Sequence, residues 1–217
     1  MTKRFSIIFA AVLFVTVLPG LSIATISGPF TTTTPISAAL TDWQKTLSFP
    51  KFDSSLGTLT MVQLDLSGSM SSVITATNHS PGLSSVEVYT HLQVTVQDSG
   101  LNLSSPEIDL VIPTFYYILA GGQSLTSDLL TKSDSSTNLY TASAVLSEFT
   151  GPGTIVLDAN TYTETSLIYT GGNIEVGQLT YAELTGTVTY TYEVPEPTTV
   201  GLLSLGGLVI LGKKKHS

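Results

Sequence analysis

In this chain of 217 residues, the run Asp65-Leu-Ser67-Gly-Ser69-Met-Ser71 has the spacing best suited to chemistry. An Asp-x-Ser-x-Ser run can gather carboxylate and hydroxyl oxygens around Mg²⁺ and leave one position open for a ligand's acidic group. Such a site needs a loop leading from a strand into a helix, with a further threonine and aspartate supplied from distant loops. No helical periodicity follows Ser71, and Val73, Ile74 and Ala76 read as strand. The expectation is therefore a β-turn at Ser67–Gly68 between two strands, with Asp65 on the solvent face. Asp65, Ser67 and Ser69 remain weak metal candidates, and no cofactor is expected.

The other reactive groups are scattered. His79 falls in a turn, His91 faces away from Val88, Leu92 and Val94, and His216 lies in the tail, so surface roles are expected for all three. Glu107 and Asp109 share a face at strand spacing, as a glycosidase pair or a Ca²⁺ site would. Fifteen acids between Asp42 and Glu193 make such pairs common by chance, so a solvated face is expected there. No Gly-x-Ser-x-Gly elbow and no phosphate loop occur. The aromatics Trp43, Tyr116, Tyr117, Tyr140, Tyr162, Tyr169 and Tyr181 could stack on sugar rings; the expectation is that they fill the core. No catalytic residue emerges.

Composition narrows the classes further. The absence of cysteine excludes thiol catalysis, disulfides, cysteine-bound zinc and lipid acylation at cysteine. Only Lys45, Lys51 and Lys132 oppose the fifteen acids between Asp42 and Glu193, so the body carries a net charge of about −12 and no arginine. Such a surface repels phosphate backbones, which excludes nucleic acid as a partner.

Positioning falls to strands. Leu59, Met61, Leu64 and Leu66 alternate with polar residues, a rhythm that Val62 breaks. Val86, Val88, Thr90, Leu92, Val94 and Val96 share one face, and so do Val188, Tyr190 and Tyr192. Further strands are expected over 45–52, 71–77, 107–119, 139–148, 154–158, 162–169 and 176–184, with a short helix near 124–132. Gly and Pro clusters at 80–82, 121–122, 151–153 and 171–172 punctuate them. Many short strands without βαβ alternation predict an all-β, antiparallel sandwich, jelly-roll-like.

Both ends read as addresses. Lys3–Arg4, an apolar run from Phe5 to Leu18, Pro19–Gly20 and small residues at Ser22 and Ala24 form a signal peptide, a helix over 1–24 cleaved after Ala24. At the other end Val194-Pro195-Glu196-Pro197 precedes fifteen uncharged residues and Lys213, Lys214 and Lys215. Fifteen residues make a short hydrophobic helix, marginal for a bilayer of about 30 Å, and the lysines act as a stop-transfer tail. This arrangement resembles the PEP-CTERM sorting signal of Gram-negative bacteria, although its tail is rich in lysine where the usual one is rich in arginine. The run Phe49-Pro-Lys-Phe52-Asp53-Ser-Ser-Leu56-Gly57-Thr-Leu59 resembles the opening of the choice-of-anchor E domain, which would cover 25–193. In physical terms Phe49, Phe52 and Leu56 can plug one end of a sandwich, Gly57 allows a left-handed turn, and Leu59 begins a core strand.

The resemblances imply three segments: signal peptide 1–24, sandwich 25–193 and sorting segment 194–217. They imply a signal peptidase and an exosortase-like enzyme as partners, and transient residence in the inner membrane. The destination they imply is the cell surface or extracellular matrix, with a structural or adhesive, non-enzymatic role in biofilm or exopolysaccharide. The alternative is a carbohydrate-binding or carbohydrate-active jelly roll, with polysaccharide as the partner.

Overall fold

Two long strands, β3 (Thr58–Asn78) and β10 (Ile174–Val194), pair antiparallel along almost their whole lengths and set the axis of the molecule. The structure, a computed structural model, describes residues 25–98, 100, 103 and 106–194, with side chains from residue 30 onward. Ile26–Val194 forms one compact unit. The expected signal segment with Ala24, residues Pro195, Glu196 and Pro197, and the lysines at 213–215 lie outside the described residues; Val194 ends β10. Among the described residues, no helix is long and apolar enough to cross a membrane.

The first sheet runs β1 (Thr25–Leu40), β10, β3, and then β7 (Ser124–Thr126) and β8 (Leu130–Tyr140), which both pair with β3. The second runs β2 (Gln44–Pro50), β9 (Thr154–Thr170), β4 (Ser84–Asp98), and then β5 (Glu107–Val111) and β6 (Phe115–Leu119), both against β4. The chain changes sheet between β1 and β2, β2 and β3, β3 and β4, β6 and β7, β8 and β9, and β9 and β10. Taking β5/β6 and β7/β8 as one position each, this is the double Greek key of a jelly-roll sandwich.

Alternation builds the core. Every second residue of β4 from Val86 to Val96 is buried, as is the matching set on β10 from Thr180 to Tyr190. Each buried Leu, Val or Phe contributes about 1.5–3 kcal/mol. The rhythm break at Val62 has a local cause. Leu59 stands opposite Tyr192 and Met61 opposite Thr191, so Thr60 is an extra residue, a β-bulge, and both Leu59 and Val62 point inward. Met61 accordingly lies on the outer face. Gly186 on β10 admits Leu47 and Phe49 from the opposite sheet, for a Cβ there would lie 2.8 Å from Leu47 and 2.9 Å from Phe49.

Several expected elements differ. No turn interrupts Ser67–Gly68, because β8 and β10 pair with β3 on both sides of that dipeptide and occupy its backbone groups. The segments 154–158 and 162–169 are one strand, β9, and 107–119 splits into β5 and β6 around Pro113. The helix expected near 124–132 is strand, β7 and the start of β8. Instead, α1 occupies Ser143–Glu148, within the span expected as strand over 139–148. Ala, Leu and Glu there are good helix formers, and Val145 anchors the turn in the core. β1, absent from the expected strands, sits at a sheet edge where Pro29 and Pro35 are tolerated.

At the end of the sandwich where the termini of β1 and β10 meet, Phe49 and Phe52 are buried as expected, but Leu56 is exposed. Gly57 adopts φ 149° and ψ −157°, an extended backbone of positive φ in place of a left-handed turn. At the opposite end, fully buried Asn78 binds the corner together. Its amide nitrogen donates to the carbonyls of Gly82, Leu119 and Ala120, and its oxygen accepts from the Ser80 backbone and the Ser80 and Ser84 hydroxyls.

Candidate functional site

The metal candidates do not converge. Asp65, Ser67 and Ser69 occupy successive outward positions of a continuous strand, roughly 7 Å apart. The Asp65 carboxylate accepts from Gln63 and, at 2.7 Å, from Thr137, while Ser69 donates to Glu183 at 2.7 Å. Ser67 stands between Thr185 and Ser135. The outer face of this first sheet is a ladder of hydroxyls that satisfy one another, as in Thr31–Thr189 at 3.1 Å and Thr33–Thr187 at 3.0 Å. Its polar groups are engaged in holding strands together.

A depression of about 390 Å³ gathers Lys51, Asp98, Glu148 and Asp158. Buried Asp98 accepts the backbone N–H groups of Gly100 and Leu103, each at 3.0 Å, and so closes its own loop. The carboxyl pair Glu107 and Asp109 lies on the outer side of β5. Gln93 donates to Glu107, and His91 Nε2 lies 2.9 Å from Asp109. Both acids are cross-strand partners on an open face. The other histidine, His79, makes a comparable 2.8 Å contact with Glu175 at the corner.

That open face of the second sheet carries the aromatic groups. Trp43 and Tyr140 are buried, but Tyr116, Tyr117, Tyr162, Tyr169 and Tyr181 are exposed, contrary to the core role expected for them. Strand parity explains three outward rings. On β4 the inward residues are even-numbered, so Tyr89 points out. Register places Tyr116 beside Glu87, and Glu87 beside Ile168; it places Tyr162 beside Gln93, and Gln93 beside Asp109. Tyr89, Tyr116 and Tyr162 thus share one surface with exposures of 42, 56 and 62 %.

Around these rings stand Glu87, His91, Gln93, Glu164 and Asp109. At the β2 side Gln44, Gln97, Asp158 and Asn160 line a depression of about 310 Å³. The surface therefore offers flat apolar rings among donors and acceptors. Aromatic rings can cover the C–H faces of a pyranose while amides and carboxylates meet its hydroxyls. Tyr89 was not among the aromatics first singled out; its place between buried Val88 and Thr90 is the signal that assigns it to this face.

No family model and no curated protein matches this chain. Among solved structures, that of the infectious bursal disease virus Gx strain is similar at 16% identity over 81% of this chain and 43% of that one, with a TM-score of 0.15. The Gt strain structure gives 12% identity, 80% and 42% coverage and a TM-score of 0.14. The crystal structure of the same virus's VP2 subviral particle gives 13%, 88%, 51% and 0.13. The chain spans about half the length of these proteins, and likenesses at such TM-scores carry no argument about fold or function.

Proposed function

We propose that this chain is an exported protein of a Gram-negative cell surface or matrix, whose sandwich binds polysaccharide without catalysis. The observation that carries the binding role is the set of three exposed tyrosines, Tyr89, Tyr116 and Tyr162, on one sheet face among hydrogen-bonding side chains. The charge of the body sets the ligand class: carboxylates beside the rings favour neutral or amino sugars over anionic polymers. Export rests on the basic and apolar segment ending at Ala24. Sorting by an exosortase-like enzyme rests on Val194, Pro195, Glu196 and Pro197 with the apolar run and lysine tail.

Binding is tested by retention of the full chain on insoluble neutral and acidic polysaccharides, with the double variant Tyr116→Ala/Tyr162→Ala beside it. Retention on neutral polymer, lost in the variant, is expected; equal retention of both proteins would sink the reading. Sorting is tested by fractionating cells that express the whole chain or a chain ending at Glu193. The shorter chain should leave the envelope fraction.

A further inference from the structure

β9 outruns its neighbour. β2 pairs only with its first part, from Thr154 to Asn160, because the chain turns from β1 into β2 at residues 41–43. Beyond that point one side of β9 still pairs with β4, up to Thr170, while no strand covers the other side among the described residues. Two contacts fix which backbone groups face outward. The Thr161 N–H donates to the Trp43 carbonyl at 3.0 Å, and the Thr163 N–H donates to the Asp42 carboxylate at 2.6 Å. Odd-numbered residues therefore aim their backbone groups at the edge, and Thr165, Leu167 and Tyr169 continue the row.

This edge lacks the guards that the edges at β1, β2 and β8 carry. β1 contains Pro29 and Pro35, β2 contains Lys45 and Pro50, and β8 contains Lys132. Prolines and lysines at such places block pairing with another chain. Residues 161–170, Thr-Tyr-Thr-Glu-Thr-Ser-Leu-Ile-Tyr-Thr, include neither, and their high β propensity suits them to pairing.

We propose that this edge of β9 pairs antiparallel with β9 of a second copy, about a two-fold axis at Leu167. Three residues with outward backbone groups, centred on Leu167, are complementary to their own reversed copy. Leu167 meets Leu167 and Thr165 meets Tyr169, forming about six backbone hydrogen bonds. Charge favours this register: Glu164, the segment's single charged residue, falls opposite Thr170 and far from its own copy. The pairing joins two five-stranded sheets into one continuous sheet, and it is independent of the polysaccharide reading.

The natural absence of cysteine permits a direct test on the full chain. Residues facing across an antiparallel pair have Cα atoms about 4.5–5.5 Å apart, within disulfide range. Leu167→Cys should oxidise to a disulfide-linked dimer. Leu129→Cys, at a site 63 % exposed and off this edge, should not. Sedimentation should show a dimer of the unmodified chain that strengthens with salt, since screening relieves repulsion between acidic bodies. Thr165→Pro removes an outward-facing donor together with the hydroxyl bond to Gln178 and should weaken that dimer roughly tenfold or more, whereas Thr165→Val, which removes the hydroxyl alone, should leave it intact. Equal cross-linking at both cysteines, a monomer at every salt concentration, or a dimer indifferent to Thr165→Pro would each overturn the proposal.

Discussion

The hydroxyl of Tyr190 donates to the carbonyl oxygen of Pro50 at 2.8 Å, which ties the last strand of one sheet to the end of β2 in the other. The ring is fully buried, with Phe52 and Phe149 at centroid distances of 6.0 and 6.1 Å. Burial pushes the phenol's pKa well above its ordinary value of 10.0.

That shift has a definite sign. The folded state requires the neutral phenol, and the unfolded chain releases its proton near pH 10. Stability is therefore full below about pH 10 and falls as pH rises from there toward the folded value. Tyr190→Phe should cost about 1 kcal/mol at neutral pH through the lost hydrogen bond. It should also flatten the alkaline loss. Urea unfolding at pH 7 and near pH 10.5 measures both, and an alkaline loss identical to that of the unmodified chain would exclude this assignment.

Gly57 supplies a second test at the same end. A Cβ there would lie 2.1 Å from the Glu193 carbonyl oxygen, and its backbone has φ 149°. Clash and strain act together, so Gly57→Ala should cost about 3 kcal/mol, or roughly 10 °C in Tm. Gly82→Ala is the matched control, since a Cβ there meets nothing within 4 Å. Its melting temperature should stay within a degree or two of the unmodified chain.

How far the sequence carries the fold is clear from particular strands. The inward face of β4, Val86 to Val96, is legible because a strand with one wet face must alternate. β3 reads as two strands for two reasons: Ser-Gly-Ser has turn chemistry, and the partners that hold it extended lie 60 or more residues away in β8 and β10. The bulge at Thr60 appears in the sequence only as a broken rhythm. The outward tyrosines are hidden for a related reason: Tyr116 and Tyr162 have ordinary core chemistry, and only strand parity, once register is known, turns them outward. Likewise the open edge of β9 depends on where β2 stops.

Asn78 tests the opposite end. Its buried amide nitrogen meets three carbonyls, and its oxygen meets three donors, so losing the amide leaves several groups unpaired at once. Asn78→Ala should cost about 3 kcal/mol, and Asn78→Asp more, because a carboxylate would face three carbonyl oxygens. Hydrogen exchange should show the loss concentrated in 78–84 and 119–123. A uniform change across the sandwich would count against a local clamp.

The tyrosine face calls for the reverse pattern, a loss of binding without a loss of stability. Tyr116 and Tyr162 are more than half exposed, and among the described residues no hydrogen bond ties either hydroxyl to the fold. Their removal should therefore change unfolding free energy by less than about 0.5 kcal/mol. A ring stacked on a sugar contributes on the order of 1 kcal/mol or more, so each change to alanine should weaken polysaccharide binding roughly fivefold or more. Tyr181, exposed on the other sheet, is the internal control: Tyr181→Ala should leave binding intact. Equal weakening by Tyr181→Ala would mean that exposed aromatics contribute generally, and would remove the second sheet's claim to be the binding face.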